Sequence, residues 1–484
     1  MSNGNAALTY AVRLSVVGKY LAQLALMLAG LALVPAMVAL LFGEHAMALR
    51  YGLLIGALLV CSVPGFRVVA PEYLQNNEAL VIVALAFVLA PLAMTFPLMG
   101  SGLGFVDAWF EGVSGITTTG LSVVADPGAA PMPLLFARSW MQWYGGLGIV
   151  VLSVALLMGH HMAARRLTRI SGTEDIRTTA RAHARRVLLI YAGVTVVGAG
   201  GLWLLTGEGM ASAIYALSGV STGGFSPHTG SLAGLDGPAP RAWVSLLALI
   251  GAMPLVLVYG LFLRKSLDLL RDMEVRFLVV AIGVLALLVW MVSVRETAGL
   301  SPVDAALLAM NTHTTAGFSP VDLSEVGAGI MLLLLPAMLV GGAVGSTAGG
   351  IKILRLLIFY RVTELAFRRT AMPQHAFSQP ELAGRQLDPG DLQGVMVLLF
   401  LVPVLVFVSW CVFVFMGYAP LVALFEVVSA VGTVGLSAGV TGAELPTQLK
   451  VVLAVDMLAG RLEMVALLIL FYPRTWIGNR RSVA

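Results

Sequence analysis

Ten long runs of apolar residues dominate this 484-residue chain, and short polar segments separate them. Each run has about 20 residues or more, the length that a helix needs to cross the hydrocarbon of a bilayer. Charged residues make up only 11% of the chain, against roughly 25% in soluble domains, so there are too few to cover a water-facing surface. We therefore predict an all-α polytopic membrane protein with ten transmembrane helices. The runs lie near 20–42, 49–70, 78–99, 134–159, 187–206, 242–263, 276–294, 327–360, 394–417 and 447–472.

The distribution of lysine and arginine predicts the orientation of these spans. With the N-terminus placed in the cytoplasm, 22 basic residues fall in inner segments and five in outer segments. Because Lys and Arg accumulate on the cytoplasmic side, both termini are expected there. Lys352 and Arg461 fall instead at membrane depth. The net charge of +4 comes from residues beside apolar spans, with no separate basic domain, and does not indicate nucleic-acid binding.

Four semi-polar stretches between the later spans carry one five-residue pattern, Thr-x-Gly-[Phe/Leu]-Ser. The pattern occurs at 118–122, 222–226, 315–319 and 433–437. Each copy lies between a pair of spans, on the outer side. A motif repeated at equivalent positions fixes the architecture of a chain before any other feature does. We therefore predict four structural repeats.

About ten residues before each motif are compatible with a helix but are too few to cross the bilayer. They are 107–115, 211–220, 302–312 and 420–430. A re-entrant segment of this kind is tolerated in a membrane only where it is buried in protein or lines water. Four parallel copies around one axis would provide such a centre. We expect four re-entrant pore half-helices in four helix–pore-loop–helix repeats around one pseudo-fourfold pore. The predicted units are a two-helix N-terminal extension at 1–75 and repeats at 76–165, 185–270, 274–370 and 390–475.

The residue types in the four loops suit a dehydrated cation. A ring of backbone carbonyls replaces the hydration shell of such an ion. Glycine reaches the unusual backbone angles that this requires, and threonine adds a hydroxyl oxygen. A single loop of this composition would be read as a turn, but four in register favour a pore. The predicted ion-binding residues are Thr118, Thr119, Gly120, Thr222, Gly223, Gly224, Thr315, Ala316, Gly317, Thr433, Val434 and Gly435.

These loops and the paired spans around them resemble the Trk/Ktr/HKT superfamily of potassium transporters, and the length and the two extra N-terminal spans are most similar to its TrkH-like branch. The fourth loop, Thr433-Val434-Gly435, also matches the start of the potassium-channel filter sequence Thr-Val-Gly-Tyr-Gly. The resemblance covers residues 5–480. It implies a gated, channel-like K⁺ uptake protein of the bacterial inner membrane. K⁺ would be the transported ion, with no organic cofactor.

The resemblance has further implications for ion choice and partners. Plant relatives that favour Na⁺ carry Ser at the first of the four glycine positions, whereas this chain has Gly at all four, which implies K⁺ and Rb⁺ over Na⁺. Members of the branch form homodimers. They are controlled by TrkA, a cytoplasmic ring of nucleotide-binding subunits. The arginine-rich segment 165–186 could dock this subunit, or its charges could serve only to orient the chain.

The span at 327–360 is too long for one helix across the bilayer, since 34 residues of helix would measure about 50 Å. Its glycine-rich middle predicts a break, which is tolerated only beside a cavity. Such a run could also serve close helix packing, but the excess length and Lys352 favour a loop below the filter, where TrkH-like proteins place a gate. We name 341–352 the gate loop. Its predicted gating residues are Gly341, Gly342, Gly345, Ser346, Thr347, Gly349, Gly350 and Lys352.

Arg461 lies near the middle of the last span, where an unpaired arginine costs about 2.5–3.5 kcal/mol on insertion scales. Neither Asp456 nor Glu463 is at the i±3 or i±4 spacing that would place it on the same helix face. The arginine therefore pairs with another unit, or it acts as a positive charge under the filter, the role that the resemblance implies.

Four further residues and two other functions stay open at this point. Glu111 and Glu426, at equivalent places in the first and fourth half-helices, either concentrate cations or bond to backbone. His228 and His313 are expected on the outer side, with no proton-carrying role assigned. A secondary transporter of another small cation or solute is the alternative function, although no inverted repeat is visible. A membrane enzyme is disfavoured because no catalytic constellation is evident.

Overall fold

The computed structural model describes residues 11–69, 74–157, 176–296, 299–373, 380–382 and 385–477. The described chain is nearly all helical, as predicted. Its only strands there are a two-residue pair, β1 Glu381–Leu382 and β2 Arg385–Gln386. Six helices are long and apolar enough to cross a membrane, and a bent helix pair forms a seventh candidate. Of the arginine-rich segment 165–186, residues 165–175 lie outside the described residues.

Two helices, α1 Leu14–Leu41 and α2 His45–Ser62, precede the repeats and pack on each other and on repeat 1. Their exposed surface carries long apolar side chains, for example Leu41 and Leu49. Just before α1, the backbone N–H of Val12 donates to the Thr475 carbonyl oxygen near the C-terminus, at 2.9 Å. The Arg13 guanidinium pairs with the buried Glu78 carboxylate at 2.7 Å. The extension therefore joins the start of repeat 1 to the end of repeat 4.

Each repeat consists of a first helix, a half-helix of 12 residues, a loop and a second helix. Repeat 1 has α3 Asn76–Leu98, α4 Phe105–Ile116 and α5 Met132–Leu157. Repeat 2 has α6 Ile176–Thr206, α7 Gly209–Val220, α8 Pro238–Ala252 and α9 Leu255–Arg264. After the short α10 Asp268–Arg271, repeat 3 has α11 Met273–Arg295, α12 Pro302–His313, α13 Ala328–Leu339 and α14 Ile353–Arg369. Repeat 4 has α15 Pro389–Phe415, α16 Pro420–Val431, α17 Thr447–Arg461, α18 Val465–Phe471 and α19 Pro473–Trp476.

The second helix is interrupted in three of the four repeats. In repeat 3, α13 ends at Leu339 and α14 begins at Ile353, so the structure contains the break that the excess length predicts. The continuous spans predicted at 242–263 and 447–472 are wrong. Repeat 2 bends by 108° between α8 and α9, where Pro254 has no N–H to continue the helix. Repeat 4 breaks at 462–464, where Glu463 and Met464 have φ values of 54° and 58°.

Ion pairs at the first turns of two half-helices join neighbouring repeats. Lys450 at the start of α17 donates to the Asp107 carboxylate in the first turn of α4, at 2.6 Å, and so connects repeat 4 to repeat 1. Arg241 in α8 approaches Asp304 in the first turn of α12 at 3.9 Å, and so connects repeats 2 and 3. Because each pair joins a second helix to the next half-helix, the repeats follow one another around a common axis.

Candidate ion-conducting site

The four loops share one backbone conformation. The threonines of the motif, Thr118, Thr222, Thr315 and Thr433, all have left-handed φ angles between 49° and 56°. The glycines two residues later have φ angles between 67° and 94°. The sequence predicts such angles for glycine, but threonine is β-branched and adopts them at a cost of roughly 1–2 kcal/mol. Four occurrences at equivalent positions indicate a conformation that the surrounding protein imposes.

The N–H groups of each loop turn back onto its half-helix. Thr118 donates to the Gly115 carbonyl oxygen at 3.0 Å, and Thr119 donates to that of Ser114 at 2.9 Å. The other three loops repeat both bonds, with distances of 2.8–3.1 Å. Most of the loop carbonyls in the described chain accept no such bond; the exception is Gly223, whose carbonyl oxygen accepts from the side-chain amide of Gln142. Within the described residues, no hydrogen bond reaches the carbonyl oxygens of Thr118, Thr119, Thr222, Thr315, Ala316, Thr433 and Val434.

The loops meet in cyclic order. A Cβ atom added to Gly120 would stand less than 3.0 Å from the Gly223 carbonyl oxygen in the next loop. The same relation joins Gly224 with the Ala316 carbonyl, Gly317 with that of Val434 and Gly435 with that of Thr119. Each glycine therefore has no room for a side chain because a neighbouring carbonyl lies against it. The structure brings all the predicted loop residues together in one closed ring.

The half-helices add a favourable field for cations. Each one ends directly before its loop, so its C-terminal end, which carries partial negative charge, points at the ring. The threonine hydroxyls differ among themselves: Thr222 donates to the Ser221 carbonyl at 2.7 Å, whereas those of Thr118 and Thr433 are buried without a partner among the described residues. No cluster of three His, Cys, Asp or Glu residues occurs in the described chain. The site therefore offers neutral oxygens as ligands.

In three of the four repeats, the serine that ends the motif is anchored by a side chain nine positions before the glycine. In repeat 1, Glu111 accepts from the Ser122 hydroxyl at 2.8 Å and from the Val123 N–H at 2.6 Å. In repeat 4, Glu426 accepts from the Ser437 hydroxyl at 2.7 Å and from the Ala438 N–H at 2.8 Å. Both carboxylates are fully buried. Glu111 and Glu426 are expected either to concentrate cations or to bond to backbone, and in the structure both bond to the backbone that follows the motif.

Tyr215 takes the same position in repeat 2, and the sequence analysis did not single it out. Its hydroxyl lies 2.9 Å from the Ser226 hydroxyl and 3.2 Å from His228 Nδ1, and it donates to the Ser231 carbonyl at 2.8 Å. The equivalence could be found only by comparing positions relative to the motif, because Tyr and Glu share no obvious chemistry. Tyr215 therefore anchors the second loop as Glu111 anchors the first.

Two other residues near the ring differ from their sequence assignments. Arg138, one of the five basic residues that the sequence assigns to outer segments, is buried in α5, 3.0 Å from the Glu111 carboxylate and 4.0 Å from the centre of the Phe225 ring. His313, which is expected on the outer side, lies at the C-terminal end of a half-helix. It is the last residue of α12, and its Nδ1 lies 3.0 Å from the Val340 carbonyl oxygen, beside the gate loop.

The two ends of the gate loop are hydrogen-bonded to each other, and its middle is hydrogen-bonded to the break in repeat 2. Its ends are joined by the Gly341 N–H, which donates to the Ile351 carbonyl at 3.0 Å. The Ala343 N–H donates to the Ala252 carbonyl at 3.1 Å, and the Thr347 N–H donates to that of Gly251 at 2.9 Å. These acceptors are carbonyls that the end of α8 leaves free. Each interrupted segment thus satisfies the backbone of the other, as the bilayer requires.

The gate loop also contacts three of the four motif threonines. The hydroxyls of Thr347 and Thr222 are 3.4 Å apart. The Gly349 N–H donates to the Thr315 hydroxyl at 2.8 Å, and a Cβ atom added at Gly349 would overlap the Thr433 hydroxyl. The predicted gate residues therefore lie directly against the ring, on the side of the half-helix C-termini.

Arg461 is buried and donates through Nη1 to the Thr347 carbonyl at 2.9 Å. Its Nε and Nη2 have no hydrogen-bond partner, and it makes no ion pair, within the described part of the chain. The two nearby acids bond elsewhere: Asp456 accepts from Ser409 at 2.7 Å, and Glu463 pairs with Arg355. The Lys352 ammonium donates to the Ala348 carbonyl. Both cations therefore hold the gate loop by its backbone.

This arrangement defines a multi-pass membrane protein in which four re-entrant loops surround one axis. Residues 54–476 match the TrkH family, described as a cation transport protein. The chain belongs to this family. It is 31% identical to the Trk system potassium uptake protein TrkH of Halomonas elongata over 94% of this chain and 97% of the relative. It is 30% identical to the Trk system potassium uptake protein TrkG of Escherichia coli over 83% of this chain and 86% of the relative.

The fold is similar to the crystal structure of the potassium transporter TrkH from Vibrio parahaemolyticus, with a TM-score of 0.85 and 25% identity. The match covers 96% of this chain and all of the other. The predicted fold class is confirmed by this match. The family consists of transport proteins, in line with the expectation that the chain is not an enzyme.

Replacing Tyr215 by Phe keeps the aromatic side chain but removes the hydroxyl group that bonds to Ser226, His228 and Ser231. Because each lost hydrogen bond costs about 1 kcal/mol, we expect the second loop to loosen and the cation flux into vesicles to fall several-fold. Tyr360→Phe is the matched control, since Tyr360 is 62% exposed on α14. Equal flux in the two variants would contradict the anchoring role.

Proposed function

We propose that this chain takes up potassium through a gated, channel-like pore in which the ring of four loops is the selectivity filter. The observation that carries this proposal is the cyclic contact of each motif glycine with the next loop's carbonyl. Unpaired carbonyl oxygens on an axis at membrane depth suit a dehydrated cation and nothing anionic. The names of the relatives, which are potassium uptake proteins, support K⁺ as the ion. The filter residues are the twelve identified from the four motifs.

Selectivity for K⁺ and Rb⁺ over Na⁺ follows from the four glycines. A side chain at any of them would push the adjacent carbonyl away and alter both the width and the ligand number of the ring. Because Na⁺ and K⁺ differ in size and in the number of oxygens they prefer, such a change weakens the discrimination between them. The unbroken set Gly120, Gly224, Gly317 and Gly435 therefore favours potassium.

The gate loop closes the path on the inner side of the filter. Its contacts with Thr222, Thr315 and Thr433 support this role, because an ion leaving the ring would meet the loop next. The guanidinium of Arg461 adds a buried positive charge at the same level, which repels a cation in that position. Opening requires the loop to leave the filter threonines and the α8 carbonyls together.

The partner and the membrane are inferred from family and charge. We propose a homodimer in the bacterial inner membrane, with lipid around its apolar surface and both termini in the cytoplasm. A TrkA-like nucleotide-binding subunit binds the cytoplasmic face and controls the gate. The arginine-rich segment 165–186 is a candidate for its docking site. K⁺ is the transported ion, and no organic cofactor or nucleic acid is part of the proposal.

Gly224→Ser tests the filter. The added side chain would meet the Ala316 carbonyl oxygen, so we expect Na⁺ permeation to rise relative to Rb⁺ in vesicle flux assays. Gly193→Ser is the matched control, because a Cβ atom there meets nothing within 4 Å. If Gly224→Ser left the Na⁺/Rb⁺ ratio of a folded protein unchanged, the shared filter would be untenable.

Deletion of 344–350 tests the gate. The deletion removes the contacts with the filter threonines and with Arg461, so we expect the basal Rb⁺ flux of the purified chain to rise. A thermal unfolding scan of the same sample establishes that the deleted protein is folded. A flux that is lower than or equal to that of the wild type, in folded protein, would show that this loop does not occlude the path.

A further inference from the structure

We propose that Glu274 is a positioning residue for the gate: its carboxylate holds the gate loop against the filter and ties it to the segment between repeats 2 and 3. The inference rests on the proposed function, because it assigns a role in opening a path for K⁺. Glu274 lies in the first turn of α11, and sequence analysis did not single it out. No motif marks it, since the backbone N–H of Val344 that it accepts from lies 70 residues away in the chain.

The contact itself is short and buried. Glu274 is fully buried, and its Oε2 accepts a hydrogen bond from the Val344 N–H at 2.7 Å. Within the described residues, the gate loop has two N–H groups that donate to side chains. Gly349 donates to Thr315 on the filter side, and Val344 donates to Glu274. Thr315 thus holds the loop at the filter and Glu274 holds it from α11.

Glu274 is placed by its own helix. Asp272 is the N-cap of α11, and its Oδ1 accepts from the N–H of Glu274 at 2.9 Å and from that of Val275 at 3.3 Å. One turn further on, Leu278 lies on the same helix face and packs in a buried cluster with Ala348 of the gate loop. The first turn of α11 and the gate loop therefore form one packed unit, with Glu274 as its polar contact.

This unit connects the gate to the inner surface. Residues 265–272, including α10, lead directly into Glu274. Lys265 and Arg271 within this segment, and Arg264 just before it, assign it to the cytoplasmic side. A displacement of the segment reaches Val344 through a single helical turn. Among the described residues, the loop has two other charged contacts, one from its own Lys352 to the Ala348 carbonyl and one from Arg461 of α17, and neither involves this segment. Glu274 is therefore the route by which a force on 265–272 would release the gate.

Three substitutions of Glu274 distinguish the effect of side-chain length from that of side-chain charge. The measurement is the Rb⁺ flux of the purified chain in vesicles. Glu274→Ala removes the acceptor, and we expect basal flux to rise about tenfold because a hydrogen bond to a charged group is lost. Glu274→Asp keeps the charge but shortens the side chain by one methylene, so it should also raise flux. Glu274→Gln keeps an oxygen at the same reach and should stay within about threefold of wild type. If Glu274→Ala fails to fold, the basal Rb⁺ fluxes of Glu274→Asp and Glu274→Gln are compared instead, and only the Asp variant should exceed wild type clearly.

Glu296→Ala is the matched control. Glu296 lies beyond the other end of α11 and accepts from the Gly329 N–H at the start of α13 at 3.0 Å, so it makes the same kind of bond far from the gate. Its loss should leave basal flux unchanged. In the chain that lacks 344–350, Glu274→Ala should add nothing to the flux, because the Val344 N–H that Glu274 holds is absent there.

The inference is overturned if Glu274→Ala and Glu274→Asp conduct like wild type, if Gln raises flux as much as Asp, or if Glu274→Ala adds flux in the loop-deleted chain. Failure of the proposed function looks different. In that case the loop-deleted chain itself carries no Rb⁺ flux. If the loop-deleted chain conducts Rb⁺ but Glu274→Ala has the basal flux of the wild type, the role of Glu274 is contradicted and the proposed function is not.

Discussion

The backbone polar groups of interrupted helices must find partners inside the membrane, and the rest of the structure depends on this constraint. Four half-helices end at membrane depth, and each leaves a loop whose N–H groups bond back to the helix while its carbonyls do not. Hydrocarbon cannot accommodate such oxygens, so the four loops face one another around an axis. The left-handed threonines are part of this solution, because that conformation lets the chain reverse within three residues of the helix end.

The same constraint explains why the gate loop belongs to the fold and is not an appended lid. The break in repeat 2 frees the carbonyls of Gly251 and Ala252, and the gate loop of repeat 3 supplies their donors. Arg461, at the break in repeat 4, donates to the Thr347 carbonyl. Three interrupted second helices thus meet under the filter and satisfy one another. Moving the loop exposes unpaired groups in all three, which favours two discrete positions over a continuous range.

Sequence patterns predicted the parts of this arrangement that repeat. The apolar runs and the four Thr-x-Gly motifs indicated the membrane fold and the ring, and the excess length of 327–360 indicated the break in repeat 3. The breaks at Pro254 and Glu463 were missed because apolar residues continue through them, so hydropathy shows no interruption. Tyr215 and Glu274 were missed for another reason. Their partners are a distant hydroxyl or a backbone N–H, and no local spacing reveals such contacts.

The central claim is that the four loops together bind a dehydrated K⁺-sized ion. Anomalous diffraction from crystals of this protein grown with Rb⁺ in place of K⁺ tests it most directly, because Rb⁺ scatters anomalously and is close to K⁺ in size. We predict anomalous density on the axis, between the carbonyl oxygens of Thr119, Gly223, Ala316 and Val434. Rb⁺ density elsewhere in the chain, with none at this ring, would contradict the account.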